Sequence, residues 1–234
     1  MVQIVVMARW PSPGRCKRRL SRDLNHELGL ANSSERATRI QRRLTQHTAA
    51  VVRGLAGAME IEPVLAVSGL GPRAADRWGQ QLGLMQVRLQ GRGQLGTRLR
   101  RQLMHGHRHN RPCLVIGTDL PELNPDDLKQ AVEQLETHDL VLGPATDGGY
   151  WLLGIGASLI RSPQLWPLIG IPWGGPRVLE ATLEAARRRQ LSSALVAQRN
   201  DLDHWSDLRP WQGSTPQLWC GASPAPWRSS RCWR

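Results

Sequence analysis

Cys113-Leu114-Val115-Ile116-Gly117-Thr118-Asp119-Leu120-Pro121 is the stretch on which the fold turns. Residues 113–117 are apolar without a break, as expected of a strand buried on both faces by crossover helices. The run stops at Thr118 and Asp119, and Asn124 followed by Pro125 is a helix start, with a side-chain cap and a residue whose fixed φ suits the first helical turn. A buried strand, a polar strand end and a capped helix make one unit of a parallel α/β sheet.

The same unit repeats in both directions along the chain. Downstream, the pattern predicts a helix over 125–136, a strand over 139–143, an extended segment over 150–155, a helix over 176–189 and a late strand over 193–197. Upstream it predicts a helix from about 95 to 105, a strand over 85–89, a helix over 72–82 and a strand over 64–68. Before these, Ile40, Leu44, Val51, Val52 and Leu55 recur at helical spacing after Ser33 or Ser34 as N-cap. The β-branched run 2–8 opens the chain and meets Pro11, Pro13 and Gly14, so it reads as a buried strand ending in a loop. Strand–helix alternation of this length predicts a three-layer, Rossmann-like α/β domain with a mostly parallel sheet over residues 1–208. Residues 209–234 carry Trp, Pro and Ser without periodicity and are expected to form an irregular tail.

Composition narrows the function classes. No apolar run approaches the length of a bilayer span, and the N-terminus lacks a charged segment followed by a sustained apolar one, so no membrane partner and a cytoplasmic location are expected. Cys16, Cys113, Cys220 and Cys232 show no C-x-x-C spacing and are expected to be reduced thiols rather than zinc ligands or a disulfide framework. The formal charge is +12, from 31 basic and 19 acidic residues, and only Lys17 and Lys129 are lysines. Arginine suits bidentate contact with phosphate, so an anionic partner is expected. With no Phe and one Tyr, the stacking platforms common among RNA and single-strand binders are scarce, which disfavours nucleic acid.

In a parallel sheet, ligands sit beyond the carboxyl ends of the strands, and three segments fall there. In the first loop, Pro13, Gly14, Arg15, Lys17 and Arg19 form a turn and a basic helix start able to cradle phosphates; the plainer alternative is a solvated basic loop. Asp119 follows a buried strand, where a carboxylate can hold a hard cation against phosphate oxygens or simply cap a turn. Asp147-Gly148-Gly149-Tyr150 is either a tight turn or a place where backbone approaches a sugar while Asp147 accepts from hydroxyls. Arg98 lies at a helix start suited to an anion, and Asp201 and Asp203 offer a further pair of carboxylates, as metal ligands or turn caps.

Taken in order, several patterns carry a resemblance. They are P-x-P-G-x-x-K-x-R-L at 11–20, Q-G-x-x-x-L-G-x-R-L at 90–99, G-T-D-L-P-x-L at 117–123, G-P-A-x-D-G-G-Y-x-L-x-G at 143–154, W-x-x-x-x-V-L-x-x-T at 173–182 and D-x-D at 201–203. They resemble the bacterial glycosyltransferase-A-like family labelled arsenosugar-biosynthesis-type or radical-SAM/selenodomain-associated transferase, within the nucleotide-diphospho-sugar transferase superfamily. Arg9 and Arg18 stand where that pattern usually has Lys and Thr.

The resemblance implies a transferase that uses a nucleotide and a divalent cation, Mg²⁺ or Mn²⁺. The expected reaction moves a sugar from a nucleotide-diphosphate donor to a small acceptor. Asp119 and Asp203 would serve as metal ligands and Asp147 as the catalytic carboxylate. Pro13, Gly14, Arg15, Lys17, Arg19 and Arg98 would bind phosphate, and Gly148, Gly149 and Tyr150 would bind sugar or acceptor. Two alternatives stand beside it: nucleotidyl transfer from a nucleoside triphosphate to a phosphorylated small molecule with release of pyrophosphate, and, more remotely, a non-catalytic arginine-rich nucleic-acid binder.

Overall fold

The computed structural model of the chain describes residues 1–211. Seven strands form one sheet in the order β3-β2-β1-β4-β6-β5-β7. These are β1 (Val2–Arg9), β2 (Ile61–Ser68), β3 (Gln86–Leu89), β4 (Cys113–Ile116), β5 (Leu140–Pro144), β6 (Tyr150–Ile155) and β7 (Ser193–Leu195). Only β6 runs against its neighbours β4 and β5; every other pairing is parallel. The mostly parallel three-layer sheet expected from the alternation is therefore present.

Burial on both faces explains the apolar strands. Ile4, Val6, Leu114 and Ile116 pack with Val52 and Leu55 of α2 (Ser33–Ala56), Trp78 and Leu82 of α3 (Pro72–Leu82) and Leu128 and Val132 of α5 (Pro125–Gln134). On the other face, Val5, Val64, Cys113 and Val115 pack with Leu99 and Leu103 of α4 (Leu95–Arg108), Leu159 and Ile160 of α6 (Ala157–Ile160) and Ala186 of α7 (Val178–Arg188). Asn124 caps α5 as expected: its side chain accepts from the Asp127 backbone N–H, and the Asp127 carboxylate accepts from that of Asn124.

Several boundaries differ from the sequence expectation for identifiable reasons. Strand β2 begins at Ile61 and includes Pro63, which is tolerated because pairing with β3 starts only at Val64. Asn32, not Ser33 or Ser34, precedes α2; Ser33 is its first residue and lies 3.3 Å, oxygen to oxygen, from Ser21 of α1 (Arg18–Leu28), joining the two helices. Leu20 and Leu24 of α1, Ala37 and Leu44 of α2, and Leu202 and Leu208 from the end of the described chain make a separate small core. Ser206–Trp211 is a 3₁₀ turn, and the remainder of the expected tail, from 212, lies outside the described residues. Among the described residues no helix is long and apolar enough to cross a membrane.

Candidate active site

At the carboxyl ends of β1 and β4 lies a cleft of roughly 350 Å³. Its wall carries Arg9, Arg15, Lys17, Arg18 and Arg19 against Asp119 and Asp203, so positive charge predominates. The loop after β1 builds this wall. Gly14 takes φ +72°, and Lys17 is left-handed at φ 46°, ψ 46° immediately before α1, a conformation an L-residue adopts only when its surroundings enforce it. The Arg9 guanidinium donates to the Arg15 carbonyl at 3.0 Å and braces the loop.

Lys17 is the hinge of the arrangement. Its Nζ lies 2.7 Å from Asp119 Oδ1 and 3.0 Å from Asp203 Oδ1, and its side chain is 2% exposed. Burial opposes the ammonium charge, but the two carboxylates outweigh it and hold the Lys17 pKa above its ordinary value. Arg19 approaches the outer oxygen of Asp203 at 3.6 Å.

Beneath the cleft, the buried Gln41 amide donates to Thr118 Oγ1 at 3.1 Å, fixing the start of the loop that carries Asp119.

A strap from Arg199 to Asp203 crosses the strand ends. Arg199 bridges in parallel to Ala145, its backbone N–H donates to the Pro144 carbonyl, and its guanidinium pairs with the buried Asp127. Thr146 Oγ1 donates to Asn200 Oδ1 at 2.6 Å, and the Leu202 N–H donates to the Asp119 carbonyl at 2.9 Å. The strap therefore joins the Asp147 turn to the Asp119 loop. Asp201, midway, is driven up to a pKa of about 7 by burial and by repulsion from Asp119, Asp203 and Asp147, with Lys17 acting in the opposite sense.

The four aspartates thus share one electrostatic neighbourhood. Among the described residues, however, no three His, Cys, Asp or Glu side chains converge closely enough to grip a metal ion. The two observations are compatible: the carboxylates are near enough to repel one another, and a cation placed among them would need phosphate oxygens to complete its coordination.

A carboxyl whose folded pKa exceeds its unfolded one destabilises the fold progressively as pH rises from the unfolded to the folded value. With chelator present, the wild type should lose stability relative to Asp201→Asn as pH rises from about 4 to 7. Urea midpoints at several pH values check this; identical pH slopes for the two proteins would refute it.

The expected site residues are not all in one place. Arg15, Lys17, Arg19, Asp119 and Asp203 meet in the cleft. Pro13 and Gly14 are exposed in the loop beside it. Arg98 lies on the first turns of α4, donates to the Gly93 carbonyl at 2.8 Å and is not part of the cleft wall.

Asp147 is exposed in the β5–β6 turn and also stands outside that wall, with Oδ1 accepting from the Gly149 N–H at 2.9 Å. Gly148 takes φ +86°, its carbonyl accepts from Leu179 N–H, and an added Cβ would fall 1.9 Å from the Pro176 carbonyl oxygen. Gly148 thus seats the turn against the start of α7. Gly148→Ala should cost about 2 kcal/mol through combined backbone strain and overlap, measurable as a lowered urea midpoint; an unchanged midpoint would contradict the packing described.

The Tyr150 ring meets Trp173 edge-on, with centroids 6.1 Å apart. Its hydroxyl is buried beside Thr182 without a hydrogen bond of good geometry, and burial raises its pKa. Sequence reasoning did not single out Arg9, Gln41 or Thr118 as site residues. Gln41 left a trace, since it is a polar residue on the apolar face that carries Ala37 and Leu44.

A profile of the family described as an uncharacterized protein conserved in bacteria (DUF2064) matches residues 51–175, more than half of the chain. A comparison with curated proteins found no match. Among solved structures, a protein of Desulfovibrio desulfuricans G20 described as a candidate nucleotide-diphospho-sugar transferase is 24% identical, with 93% of this chain and 91% of that one covered at a TM-score of 0.77. Rv0371C of Mycobacterium tuberculosis H37Rv in complex with manganese is 16% identical over 92% of this chain and 100% of its own, at 0.50. A Methanothermobacter nucleotidyl transferase, Mth528, is 20% identical over 88% and 94%, also at 0.50. These likenesses establish a shared fold.

Proposed function

The chain belongs to the bacterial family DUF2064, and from that premise, together with its fold and its cleft, we propose that it is a nucleotide-utilising transferase, and specifically a metal-dependent glycosyltransferase acting from a nucleotide-diphosphate sugar onto a small acceptor. The observation that carries this reading is the cleft itself, in which five basic side chains face two carboxylates at the ends of β1 and β4. Such a site suits a diphosphate with a cation, since the arginines and Lys17 can take the anionic oxygens while Asp119 and Asp203 face the metal. Burial and, after it, repulsion from Asp119, Asp203 and Asp147 push the Asp201 pKa upward, and a divalent cation would relieve the repulsive part, so the carboxylates at this end of the sheet fit one.

Arg15, Lys17 and Arg19 bind and orient the phosphates and keep them screened from the acidic strap. A divalent cation bound by Asp119 and Asp203 would supply neutralisation of the charge that develops on the leaving diphosphate. Asp147, tied to the same strap through Thr146 and Asn200, orients the sugar or takes the proton of the acceptor hydroxyl. Gly149 brings backbone near that carboxylate, and Tyr150 follows it at the start of β6. The motif likeness to arsenosugar-biosynthesis-type transferases supports the choice of glycosyl transfer.

Nucleotidyl transfer is the second reading, because the same fold is shared with a nucleotidyl transferase. Incubation with Mn²⁺, a mixture of small hydroxylated and phosphorylated acceptors, and either sugar nucleotides or nucleoside triphosphates separates the two by product. Release of nucleoside diphosphate from a sugar nucleotide is expected; pyrophosphate release from a triphosphate would move the assignment to nucleotidyl transfer. Salt-sensitive binding of RNA or DNA that survives in Asp119→Ala/Asp147→Ala, without metal-dependent nucleotide binding, would replace both with a nucleic-acid-binding role.

A further inference from the structure

Lys17 does more than line the phosphate cleft. Among the described residues, the only cationic group within salt-bridge distance of Asp119 is the Lys17 ammonium, and that ammonium also holds Asp203, 186 residues away. Its side chain is 2% exposed while each carboxylate is 42% exposed, so the ammonium plugs the pair from the inner side and leaves the outer oxygens facing the cleft. The left-handed backbone at Lys17, a non-glycine residue at φ 46°, accompanies an inward-pointing side chain just before Arg18 and Arg19, the first two residues of α1, which remain exposed.

We propose that Lys17 is a built-in counter-cation for Asp119 and Asp203, occupying the carboxylate pair in the nucleotide-free protein, so that a divalent cation enters only when an anionic diphosphate in the cleft draws the ammonium away. The inference rests on the proposed diphosphate and metal site and adds an order of binding to it.

The physical argument is one of competing charges. A carboxylate pair already neutralised by an ammonium at 2.7 and 3.0 Å attracts a second cation weakly, because the incoming ion must either displace the first or accept its repulsion at short range. Among the described residues no third ligand stands ready to tip the balance. A diphosphate changes both sides of the competition. It offers the ammonium new oxygens in the same cleft, and it offers the metal the oxygens that the protein lacks. The charge on Lys17 is retained throughout, passing from carboxylate to phosphate with no proton moved.

The test is Mn²⁺ binding by the full chain without nucleotide, followed by the electron paramagnetic resonance signal of free Mn²⁺. Lys17→Met is expected to bind Mn²⁺ on the order of tenfold more tightly than the wild type, and the gain should vanish when Asp203→Asn is added. Lys17→Gln, which keeps a donor toward the carboxylates but removes the charge, should show the same gain and guards against a folding defect peculiar to methionine. Equal Mn²⁺ affinity in the wild type and both variants, or a gain that survives Asp203→Asn, overturns the proposal.

Melting temperatures separate this outcome from failure of the underlying reading. If Mn²⁺ plus a sugar nucleotide or a nucleoside triphosphate stabilises the wild type while the Lys17 variants show no gain in Mn²⁺ affinity without nucleotide, only the counter-cation role falls. If no such combination stabilises the wild type, the diphosphate site falls with it.

Discussion

Asp119→Asn is expected to reduce turnover on the order of 10²- to 10³-fold while leaving the fold intact, because an amide keeps the shape but loses the charge that a cation needs beside a leaving diphosphate. The backbone around Asp119 is independently held: its carbonyl accepts from Leu202 N–H, and the neighbouring Thr118 hydroxyl accepts from Gln41. The side chain is itself half exposed, so its replacement leaves no large cavity. Steady-state kinetics with the preferred donor, alongside a melting curve, check the claim. Turnover within threefold of wild type would remove Asp119 from the chemistry.

The largest stability effect is expected away from the cleft, at Asp127. This carboxylate is 4% exposed, receives the Arg199 guanidinium, which is itself 24% exposed, and also accepts from Asn124 N–H in the cap of α5. Asp127→Ala leaves a partly buried guanidinium without its partner and removes half of the capping box, at a cost of about 3 to 5 kcal/mol. Because Arg199 begins the strap that carries Asp201 and Asp203, the same change should weaken metal-dependent nucleotide binding. Arg199→Met leaves the α5 cap in place but strands the more deeply buried carboxylate without its cation, so it should also destabilise by a comparable amount. Chemical denaturation of both variants tests the pair; a loss below 1 kcal/mol in Asp127→Ala would mean that the strap is held by its backbone contacts alone.

The sheet was legible because its strands leave little ambiguity. A continuous run such as Cys113-Leu114-Val115-Ile116 has no polar face to present to water, and Asn124-Pro125 announces the following helix. The antiparallel insertion of β6 between β4 and β5 was not legible, since its direction depends on the turn at Asp147–Gly149 folding back rather than crossing over. The four-residue helix α6 and the 3₁₀ turn at Ser206 are too short to show a period.

At the site, the loop lysine and the strand-end aspartate could each be picked out from local sequence. Their contact could not, because Lys17 and Asp203 lie 186 residues apart and meet only through the strap. The upward pKa of Asp201 is likewise tertiary, a product of burial and of the carboxylates that the Asp119 loop and the Asp147 turn bring near it. Gly148 shows a tertiary contact that local sequence does not announce: the side where a Cβ would stand is filled by the backbone of Pro176.

The most direct test of the account is the melting temperature of the wild type and of Asp119→Asn/Asp203→Asn with a panel of sugar nucleotides, each with and without Mn²⁺. At a ligand concentration about one hundredfold above Kd, a single site adds roughly 2.7 kcal/mol to the native state, enough to read as a clear shift. The account predicts a rise in the wild type that requires nucleotide and Mn²⁺ together and is lost in the double variant. A rise of equal size in both proteins, or one indifferent to Mn²⁺, would contradict it.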